Sequence, residues 1–224
     1  MKIYDIISVL DSLQKVRRLF WSEDDFKFAF AIELKAKFGA AEVRLEKRYM
    51  NSKKAYTDIV IRMGGKNYPI ELKYKTAKGR YADVNGEVID LLTHSAVDLG
   101  CYSYLKDIER LEYLAKTDND FERGFAIILT NESLYYRNTA KPSVYDSFKI
   151  YEGRKVSGHL DWDLSRYPKG KIPSWVKTHP ALVLNNQYVM KWADYGGLLV
   201  SNEDPSSSVQ FRYLISVIEK ERSC

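Results

Sequence analysis

Two carboxylates and a lysine in one short stretch of the chain could together bind a divalent cation and assist a hydrolysis reaction. Asp58 is followed, after twelve intervening residues, by the triplet Glu71-Leu72-Lys73. Carboxylate oxygens are the hard ligands that Mg²⁺ and Mn²⁺ prefer in proteins. A metal ion held there can polarise a bound substrate and lower the pKa of a coordinated water molecule. A lysine beside it can orient the attacking water and stabilise developing negative charge.

A β-hairpin is the element that has to position these residues. Segment 56–75 contains two alternating, β-branched runs on either side of Gly64-Gly65, a favoured centre for a two-residue turn. With these glycines as the turn, the register places Asp58 opposite Glu71. Because side chains alternate between the faces of a strand, Lys73 lies on the face of the two acids. The pairing therefore predicts an acidic site with one cation beside it.

The opposite face of this hairpin is predicted to be apolar and to pack against a helix. Its members are Ile59, Ile61, Ile70 and Leu72. Like charges that face each other across a ladder are unfavourable, so the acid pair indicates a bound cation. A solvated hairpin face with a local salt bridge is the alternative interpretation of the same residues.

Two helices and a strand are predicted before the hairpin. Apolar residues recur at helical spacing over residues 2–18, and a capping-box pattern at Ser22 begins a second helix over residues 23–38. Glu33 lies on the flank of the apolar stripe of this second helix, where a carboxylate can reach the edge of a buried interface. A solvated flank position is the alternative for Glu33. Residues 41–50 alternate enough to form a strand.

Beyond the hairpin, the pattern predicts a helix and a buried strand, followed by a long irregular region. The predicted elements are a loop or lid with a short ordered piece at 76–93, a helix at about 95–116, a strand at 124–131, an irregular excursion with room for one or two short strands at 138–180, a strand running into a turn at 187–196, and a terminal strand at 209–219. This order indicates a mixed sheet with helices on its faces. We therefore predict an α/β fold (an α+β mixed sheet) in one domain over residues 1–224, with a core at about 22–131 and an elaboration at 132–224.

The acids, the lysine and their surrounding elements resemble the D-x(n)-E-x-K signature of the PD-(D/E)XK nuclease superfamily, which has a restriction-endonuclease-like fold. The resemblance covers residues 22–131 and includes the hairpin, Ile70 just before Glu71, an upstream helix with an acid, and a following helix and strand. Thr57 stands where the superfamily often has proline before the first acid. The bare motif occurs by chance in many chains, so the predicted register of Asp58 and Glu71 gives it its weight.

The resemblance implies a metal-dependent phosphodiesterase that cleaves DNA, with Mg²⁺ as cofactor and Mn²⁺ able to replace it. It implies that Asp58, Glu71 and the backbone carbonyl of Leu72 bind the metal. It also implies that Lys73 assists the attacking water and that Glu33 supplies a further carboxylate. Because an ammonium beside two carboxylates stays charged, electrostatic assistance is the role expected of Lys73.

Several cations near this site are candidates for contacts with a nucleic-acid backbone. They are Lys75, Lys78, Arg80, Lys106 and Arg110. A solvated loop is the alternative for the first three. Lys106 and Arg110, together with Asp107 of the same helix, could face the site, but ordinary i,i+3 and i,i+4 ion pairing within the helix is the favoured interpretation. The basic and aromatic stretch 141–175 could pair with phosphates and stack on bases, or could be an ordinary surface loop.

The composition is that of an ordinary globular protein with a mild basic excess. Of the 224 residues, 35 are Lys or Arg and 30 are Asp or Glu, for a formal net charge of +5, which is compatible with a polyanionic partner. Neither the two cysteines, Cys101 and Cys224, nor the three histidines have the spacing of a metal site. We therefore expect a cytoplasmic location without a disulfide framework. No run approaches the roughly 20 apolar residues of a membrane span.

Three functions from different classes fit the sequence. The first is a DNA endonuclease with a role in restriction, defence or repair. The second is a non-catalytic protein of the same fold that binds nucleic acid or another protein, although a disused site usually loses a ligand. The third is an unrelated α+β interaction protein whose carboxylates lie on its surface. Cutting both strands of a duplex needs two active sites, so a homodimer and a further protein partner are open alternatives.

Overall fold

A computed structural model of the chain describes residues 1–48, 56–94, 96–167 and 172–220. Its α-helices are α1 (Ile3–Val16), α2 (Glu23–Lys37) and α3 (Val97–Thr117). Its strands are β1 (Glu42–Arg48), β2 (Tyr56–Met63), β3 (Lys66–Lys75), β4 (Gly79–Ala82), β5 (Val88–Leu91), β6 (Arg123–Thr130), β7 (Lys155–Leu160), β8 (Leu182–Val189), β9 (Trp192–Val200) and β10 (Ser208–Glu219). Short 3₁₀ helices lie at Ser133–Tyr135, Asp146–Phe148, Leu164–Arg166 and Ser174–Thr178.

Six strands form one mixed sheet in the order β1-β2-β3-β6-β10-β9. β3 and β6 are parallel, whereas the other neighbouring pairs of this sheet are antiparallel. A parallel pair needs a crossover connection, which the segment containing α3 supplies. The predicted mixed sheet flanked by helices is therefore confirmed. The remaining strands pair as β4 with β5 and β7 with β8.

The hairpin of β2 and β3 has the predicted turn. The two glycines at 64–65 have φ angles of 58° and 74°, the left-handed values that a primed two-residue turn requires. From this turn, the ladder continues in the predicted register to Ile59 and Ile70. The next residues away from the turn are Asp58 in β2 and Glu71 in β3. The turn chemistry therefore brings both acids to the same level of the sheet.

Alternation along β3 assigns its side chains to two different faces of the sheet. Ile70 and Leu72 are buried together with Ile59 in the apolar core under α1 and α2. Glu71 and Lys73 contact α3 instead, and the apolar stripe of α3 covers the other face of the sheet. The core thus has one half on each side of the sheet, and the predicted apolar face of the hairpin is confirmed.

The rotation of α2 about its own axis decides which of its polar side chains reach the hairpin. Ser22 Oγ accepts a hydrogen bond from the backbone N–H of Asp25 at 3.1 Å, so the helix begins at the predicted cap. Phe26, Phe30 and Leu34 are fully buried and form the expected apolar stripe. Packing of this stripe on the sheet fixes the rotation of the helix.

Residues 76–93 are more regular than the predicted loop or lid. β4 and β5 pair antiparallel around a turn that contains Gly86, whose φ is 82°. Tyr81, Ile89 and Leu91 are buried in the core under α1 and α2. A loop between Asp83 and Glu87, in which the backbone N–H of Asp83 donates to the oxygen of Glu87 and Gly86 adopts a left-handed conformation, joins the two short strands of this hairpin. The sequence prediction did not assign this hairpin.

The C-terminal region adds two strands to the main sheet. β10 pairs with β6 on one side and with β9 on the other, which confirms the predicted terminal strand. The predicted strand at 187–196 is instead the junction of β8 and β9, because β8 pairs with β7 in a separate sheet. β7 and three of the 3₁₀ helices lie within the predicted excursion at 138–180.

Some predictions fall on residues that are not described. They are the end of the first strand at 49–50, the turn at 51–55, the helix start at Ser95, and part of the excursion at 168–171. The division into one domain with a C-terminal elaboration stays a prediction. Within the described ranges, no helix is long and apolar enough to cross a membrane.

Candidate active site

Six charged side chains meet where the hairpin lies between α2 and α3, and we call them the charged cluster. They are Asp58, Glu71, Asp107, Lys27, Lys73 and Arg110. Asp58 Oδ2 accepts a hydrogen bond from the backbone N–H of Leu72 at 2.8 Å, which ties the first predicted acid to the strand of the second. Lys73 Nζ donates to the backbone oxygen of Leu72 at 3.3 Å. The structure thus brings together the three residues that carried the sequence motif.

α3 supplies Asp107 and Arg110 to the charged cluster. Asp107 is 3% exposed and forms an ion pair with Lys73, in which Oδ2 and Nζ are 2.9 Å apart. Arg110 Nη2 donates to Glu71 Oε1 at 2.8 Å, and Nη1 donates to Asp107 Oδ1 at 3.2 Å. The guanidinium also donates to the backbone oxygen of Tyr56. One arginine therefore bridges two buried acids and the start of β2.

The buried acids of the charged cluster hold protons more tightly than exposed acids do. Burial raises the pKa of Glu71 well above its ordinary value, and the charge of Asp107 raises it further against the opposing effect of Arg110. Burial also raises the pKa of Asp107, with Lys73 and Arg110 acting against it. The charge of Asp58 adds to both shifts, so the acids repel one another. A bound divalent cation relieves repulsion of this kind.

Lys73 stays charged in this environment. Burial lowers the pKa of its ammonium group, but the charges of Asp107, Glu23 and Asp58 outweigh burial and raise the pKa above its ordinary value. A lysine kept in the charged form donates hydrogen bonds and positive charge and does not accept a proton. This environment agrees with the electrostatic role expected from the sequence.

α2 contributes a cation that the sequence prediction did not include. Lys27 is 7% exposed, and its Nζ lies 3.1 Å from Asp58 Oδ1. The same ammonium pairs with Asp24 at 3.2 Å and with Glu46 of β1. Burial lowers the pKa of Lys27, but its hydrogen bond with Glu46 and the charge of Asp58 outweigh burial and raise the pKa. Lys27 is therefore a lasting positive charge beside the first predicted metal ligand.

Glu33, the acid predicted on α2, does not reach the charged cluster in the described contacts. It lies six positions after Lys27. That spacing turns it about 120° around the helix from the side chain that contacts Asp58. Glu33 lies instead near Tyr195 of β9, where burial raises the pKa of the phenol and the charge of Glu33 is a lesser cause. The expectation that Glu33 completes the site is not supported by its position.

Glu23 is the acid of α2 that contacts β3. Its Oε2 accepts a hydrogen bond from the backbone N–H of Tyr74 at 2.9 Å and another from Lys75 Nζ at 3.1 Å. Glu23 lies four positions before Lys27 and so shares its side of the helix. Lys75, predicted to contact a phosphate backbone, is thus held by an ion pair with α2.

The other cations predicted to contact nucleic acid divide between the charged cluster and the surface. Arg110 belongs to the cluster, whereas Lys106 pairs with Glu109 along α3 at 2.5 Å. Lys78 and Arg80 are exposed, and Arg80 forms a 3.4 Å ion pair across the hairpin of β4 and β5. Ordinary helix pairing therefore describes Lys106 and one contact of Arg110, its ion pair with Asp107, whereas the second contact of the guanidinium crosses to Glu71 of the sheet.

The carboxylate oxygens of Asp58 and Glu71 are of the chemical type that binds divalent cations. Lysine and arginine side chains of the protein already pair with them. The two carboxylates and the carbonyl of Leu72 are hard donors suited to Mg²⁺. In the part of the chain that the structure describes, no three His, Cys, Asp or Glu side chains form a ready metal-binding group. Lys27 pairs with Asp58, and Arg110 pairs with Glu71. A metal could reach these two carboxylates only if at least one of these cations moved aside.

Lys27 is the member of the charged cluster that the sequence did not indicate, whereas Asp107 is one of the α3 residues considered for the site beside ordinary helix pairing. Asp107 carried a usable signal, because it lies three positions after Tyr104 and four before Leu111, at the spacing of the buried stripe of α3. An acid at core spacing indicates a buried carboxylate that needs partners. Lys27 carried no comparable signal, since a lysine next to Phe26 fits a solvated helix flank.

No family model, curated protein or solved structure matched this chain in comparisons with known proteins. The chemistry of the charged cluster therefore has to follow from its own groups. Formally, three acids face three cations, and each acid has a cationic partner. Such a cluster could bind a divalent cation or an anionic substrate only by exchanging one of its internal partners.

Proposed function

We propose that this protein is a metal-dependent nuclease that hydrolyses phosphodiester bonds, with DNA as its substrate and Mg²⁺ as its cofactor. One observation carries the proposal: Asp58, Glu71 and Lys73 meet in a charged cluster between two helices. A solvated salt bridge was the alternative, and a Glu71 residue that is 2% exposed does not fit it. Buried acids with raised pKa values beside a charged lysine are typical of catalytic sites.

The order of elements supports the same proposal. α2, β1, the hairpin of β2 and β3, α3 and β6 follow one another in the order that the resemblance implies. β3 and β6 are parallel neighbours, and the connection between them carries the two α3 residues of the charged cluster. A shared fold does not establish a shared activity, so the restriction-endonuclease-like fold is part of the proposal.

Each residue of the site has a distinct task in the proposed reaction. Asp58, Glu71 and the carbonyl of Leu72 would hold the metal, which when bound supplies Lewis-acid activation of the phosphodiester and of a water molecule. Lys73, kept charged, stabilises the negative charge that develops on the phosphate oxygens. Asp107 holds the Lys73 ammonium in place through their ion pair. The proposal gives no task to Glu33, because α2 turns it away.

The proposed partners follow from the same chemistry. Lys78 and Arg80 are exposed and stay candidates for contacts with the DNA backbone. A homodimer would supply the second active site that cutting a duplex requires. Restriction, defence against foreign DNA, or repair in the cytoplasm is the setting that we propose.

Cleavage of supercoiled plasmid DNA tests the proposal. The wild-type protein is expected to nick or linearise the plasmid with Mg²⁺ or Mn²⁺ and to stop when EDTA is added. Asp58→Ala and Lys73→Met are each expected to lower the rate at least about 100-fold, because they remove a metal ligand or the cation that stabilises the transition state. Metal-independent cutting, or full activity in both variants, would refute the proposal.

A matched control separates the loss of the site from the loss of the fold. Lys37→Met removes a lysine on α2 that is exposed and donates to Ser8 Oγ, away from the charged cluster. It is expected to keep the wild-type cleavage rate. Circular dichroism of all variants checks that Asp58→Ala and Lys73→Met remain folded.

A non-catalytic nucleic-acid-binding protein is the second candidate, and one observation favours it. Each acid of the charged cluster has a cationic partner, and the described residues offer no ready metal-binding group. Fluorescence anisotropy with a labelled duplex in EDTA tests this candidate. Binding without cleavage under every metal condition would favour it over the nuclease, whereas metal-dependent cleavage would exclude it.

A further inference from the structure

Lys27 pairs with Asp58, the acid that the proposed function assigns to the metal. Its Nζ lies 3.1 Å from Asp58 Oδ1 and 3.2 Å from an oxygen of Asp24, and it also pairs with Glu46. A divalent cation bound by Asp58 would share that carboxylate with an ammonium of the same sign. Like charges at such distances repel strongly where water is partly excluded. The ammonium and the metal therefore exclude each other at Asp58.

Glu46 is placed to keep the Lys27 ammonium when Asp58 releases it. In the ladder of β1 and β2, Leu45 pairs with Ile59 and Lys47 pairs with Thr57, so Glu46 lies opposite Asp58. Glu46 has a φ of 49°, a left-handed conformation that residues other than glycine rarely adopt. Its side chain is 55% exposed, whereas that of Asp58 is 16% exposed. Glu46 is thus a solvent-side carboxylate within reach of the same ammonium.

We propose that Lys27 and the divalent cation compete for Asp58, and that Glu46 holds the ammonium after the metal displaces it. This inference rests on the proposed function, since it takes Asp58 as a metal ligand. Without metal, Lys27 neutralises Asp58 and limits repulsion among the acids. With metal, Lys27 stays paired with Glu46 and Asp24. Lys27 is then a positioning residue that sets the metal concentration at which the site is filled.

Lys27 would make the same contacts if its only role were to hold α2 against the hairpin. In that case its removal would lower the free energy of unfolding but would leave the affinity for metal unchanged. The two roles therefore differ in metal binding measured directly, without reference to cleavage. Electron paramagnetic resonance of free Mn²⁺ gives this affinity for each variant.

Lys27→Met is expected to bind Mn²⁺ about tenfold more tightly than the wild type, because a competing charge beside Asp58 is gone. Lys37→Met is the matched control, since it removes the same charge from the far end of α2 and is expected to change the affinity less than twofold. Equal affinities of Lys27→Met and the wild type would overturn the competition.

A double-mutant cycle separates displacement from a general field effect. Glu46→Gln is expected to weaken Mn²⁺ binding about threefold in the wild type, because Lys27 then stays on Asp58. In the Lys27→Met background the same substitution is expected to have no effect. A simple loss of negative charge would weaken binding equally in both backgrounds, and that result would overturn the role of Glu46.

Lysine side-chain NMR gives a test that does not depend on a variant folding. The Lys27 Cε signal of the wild type is expected to shift during a Mg²⁺ titration, whereas the Lys37 signal stays fixed. A Lys27 signal that stays fixed while Mg²⁺ binds would overturn the inference.

The outcomes also separate this inference from the proposed function. Metal-dependent cleavage with no change in the affinity of Lys27→Met would refute the competition and leave the nuclease proposal standing. The predicted affinity changes in the double-mutant cycle, without cleavage under any metal condition, would support the competition and favour the non-catalytic candidate over the nuclease. No binding of Mn²⁺ by any variant would overturn both.

Discussion

Asp107 and Glu112 are both buried acids on α3, but the protein holds them in opposite ways. Asp107 is paired with the cations of Lys73 and Arg110. Glu112 is 2% exposed and accepts five hydrogen bonds from uncharged donors. These donors are the backbone and side-chain N–H groups of Asn185 and Asn186 and the hydroxyl of Tyr188. Through them, Glu112 ties β8 to α3.

The pKa values of the two acids move in opposite directions. Burial pushes the pKa of Glu112 upward, but the hydrogen bonds from Asn185, Asn186 and Tyr188 outweigh burial and lower it. For Asp107, burial prevails over the cations of the charged cluster and the pKa is raised. The charged form is therefore favoured at Glu112 and disfavoured at Asp107.

This contrast separates an acid that stabilises the fold from acids that suit a reaction. Two backbone N–H groups, two side-chain amides and a hydroxyl, all neutral, satisfy the charge of Glu112. In the charged cluster, three acids share three side-chain cations and still repel one another. A divalent cation could replace one of these cations as the partner of an acid, and a phosphate could replace an acid as the partner of a cation, whereas Glu112 offers no such exchange.

The largest effect on stability is expected for Glu112→Gln. The substitution removes the charged acceptor and turns an amide N–H group toward donors, so buried N–H groups lose their partner. A loss of about 3 kcal/mol in the free energy of unfolding is expected, which lowers the Tm by about 6–12 °C. Calorimetry measures this change. A loss below about 1 kcal/mol would contradict the structural role of Glu112.

The pH dependence of this loss sharpens the comparison. The pKa of Glu112 is lower in the folded protein than its ordinary value of 4.5, so the ionised carboxylate stabilises the fold. This stabilisation is fully present above pH 4.5 and is lost as the pH falls through the pKa of the folded protein. The difference in Tm between the wild type and Glu112→Gln should therefore shrink in acid. A difference that grows in acid would contradict the direction of the shift.

Arg110→Met is expected to have the next largest effect. It leaves Glu71 without its cation and removes one partner of Asp107, which should lower the free energy of unfolding by about 2 kcal/mol at neutral pH. The loss should shrink as the pH falls and the two acids gain protons. Arg44→Met, which breaks an exposed ion pair, is the matched control and should cost less than about 0.5 kcal/mol.

Glu71→Gln is expected to have the smallest effect on stability, and in the opposite direction. Removing a buried charge that the fold disfavours should stabilise the protein by about 1 kcal/mol, or about 2–4 °C in Tm, while plasmid cleavage is lost. The pKa of Glu71 is higher in the folded protein than its ordinary value of 4.5, so the protonated carboxyl group stabilises the fold. This stabilisation is fully present below pH 4.5 and is lost as the pH rises through the pKa of the folded protein. The gain should therefore be near zero in acid and grow with pH. A loss of stability at neutral pH would place Glu71 with Glu112 as a structural acid.

The hairpin could be predicted because its signals are local. Gly-Gly at 64–65 fixes the turn, and alternation then fixes which side chains share a face. The hairpin of β4 and β5 has a longer loop in which only Gly86 has a positive φ, so its turn signal is weaker and the hairpin was not predicted. Hairpin register therefore follows from sequence wherever a tight turn is recognised.

The partners from the helices could not be predicted in the same way. The positions of Glu33 and Lys27 depend on the rotation of α2, which packing of its apolar stripe on the sheet determines. Glu33 was expected at the site from the resemblance, but the stripe turns Lys27 and Glu23 toward the hairpin. Local pattern places side chains within an element, whereas contacts between elements depend on tertiary packing.

The position of β6 has a consequence for the synthesis of the chain. β6 lies between β3, which the ribosome has made before it, and β10, which is made about 85 residues later. All six residues of the charged cluster precede β6 in the sequence. A nascent chain can therefore assemble the charged cluster while the apolar β6 still has one open edge, which is a template for wrong pairing. We expect the need for chaperones to peak at this stage and to fall once β10 leaves the ribosome and closes the sheet.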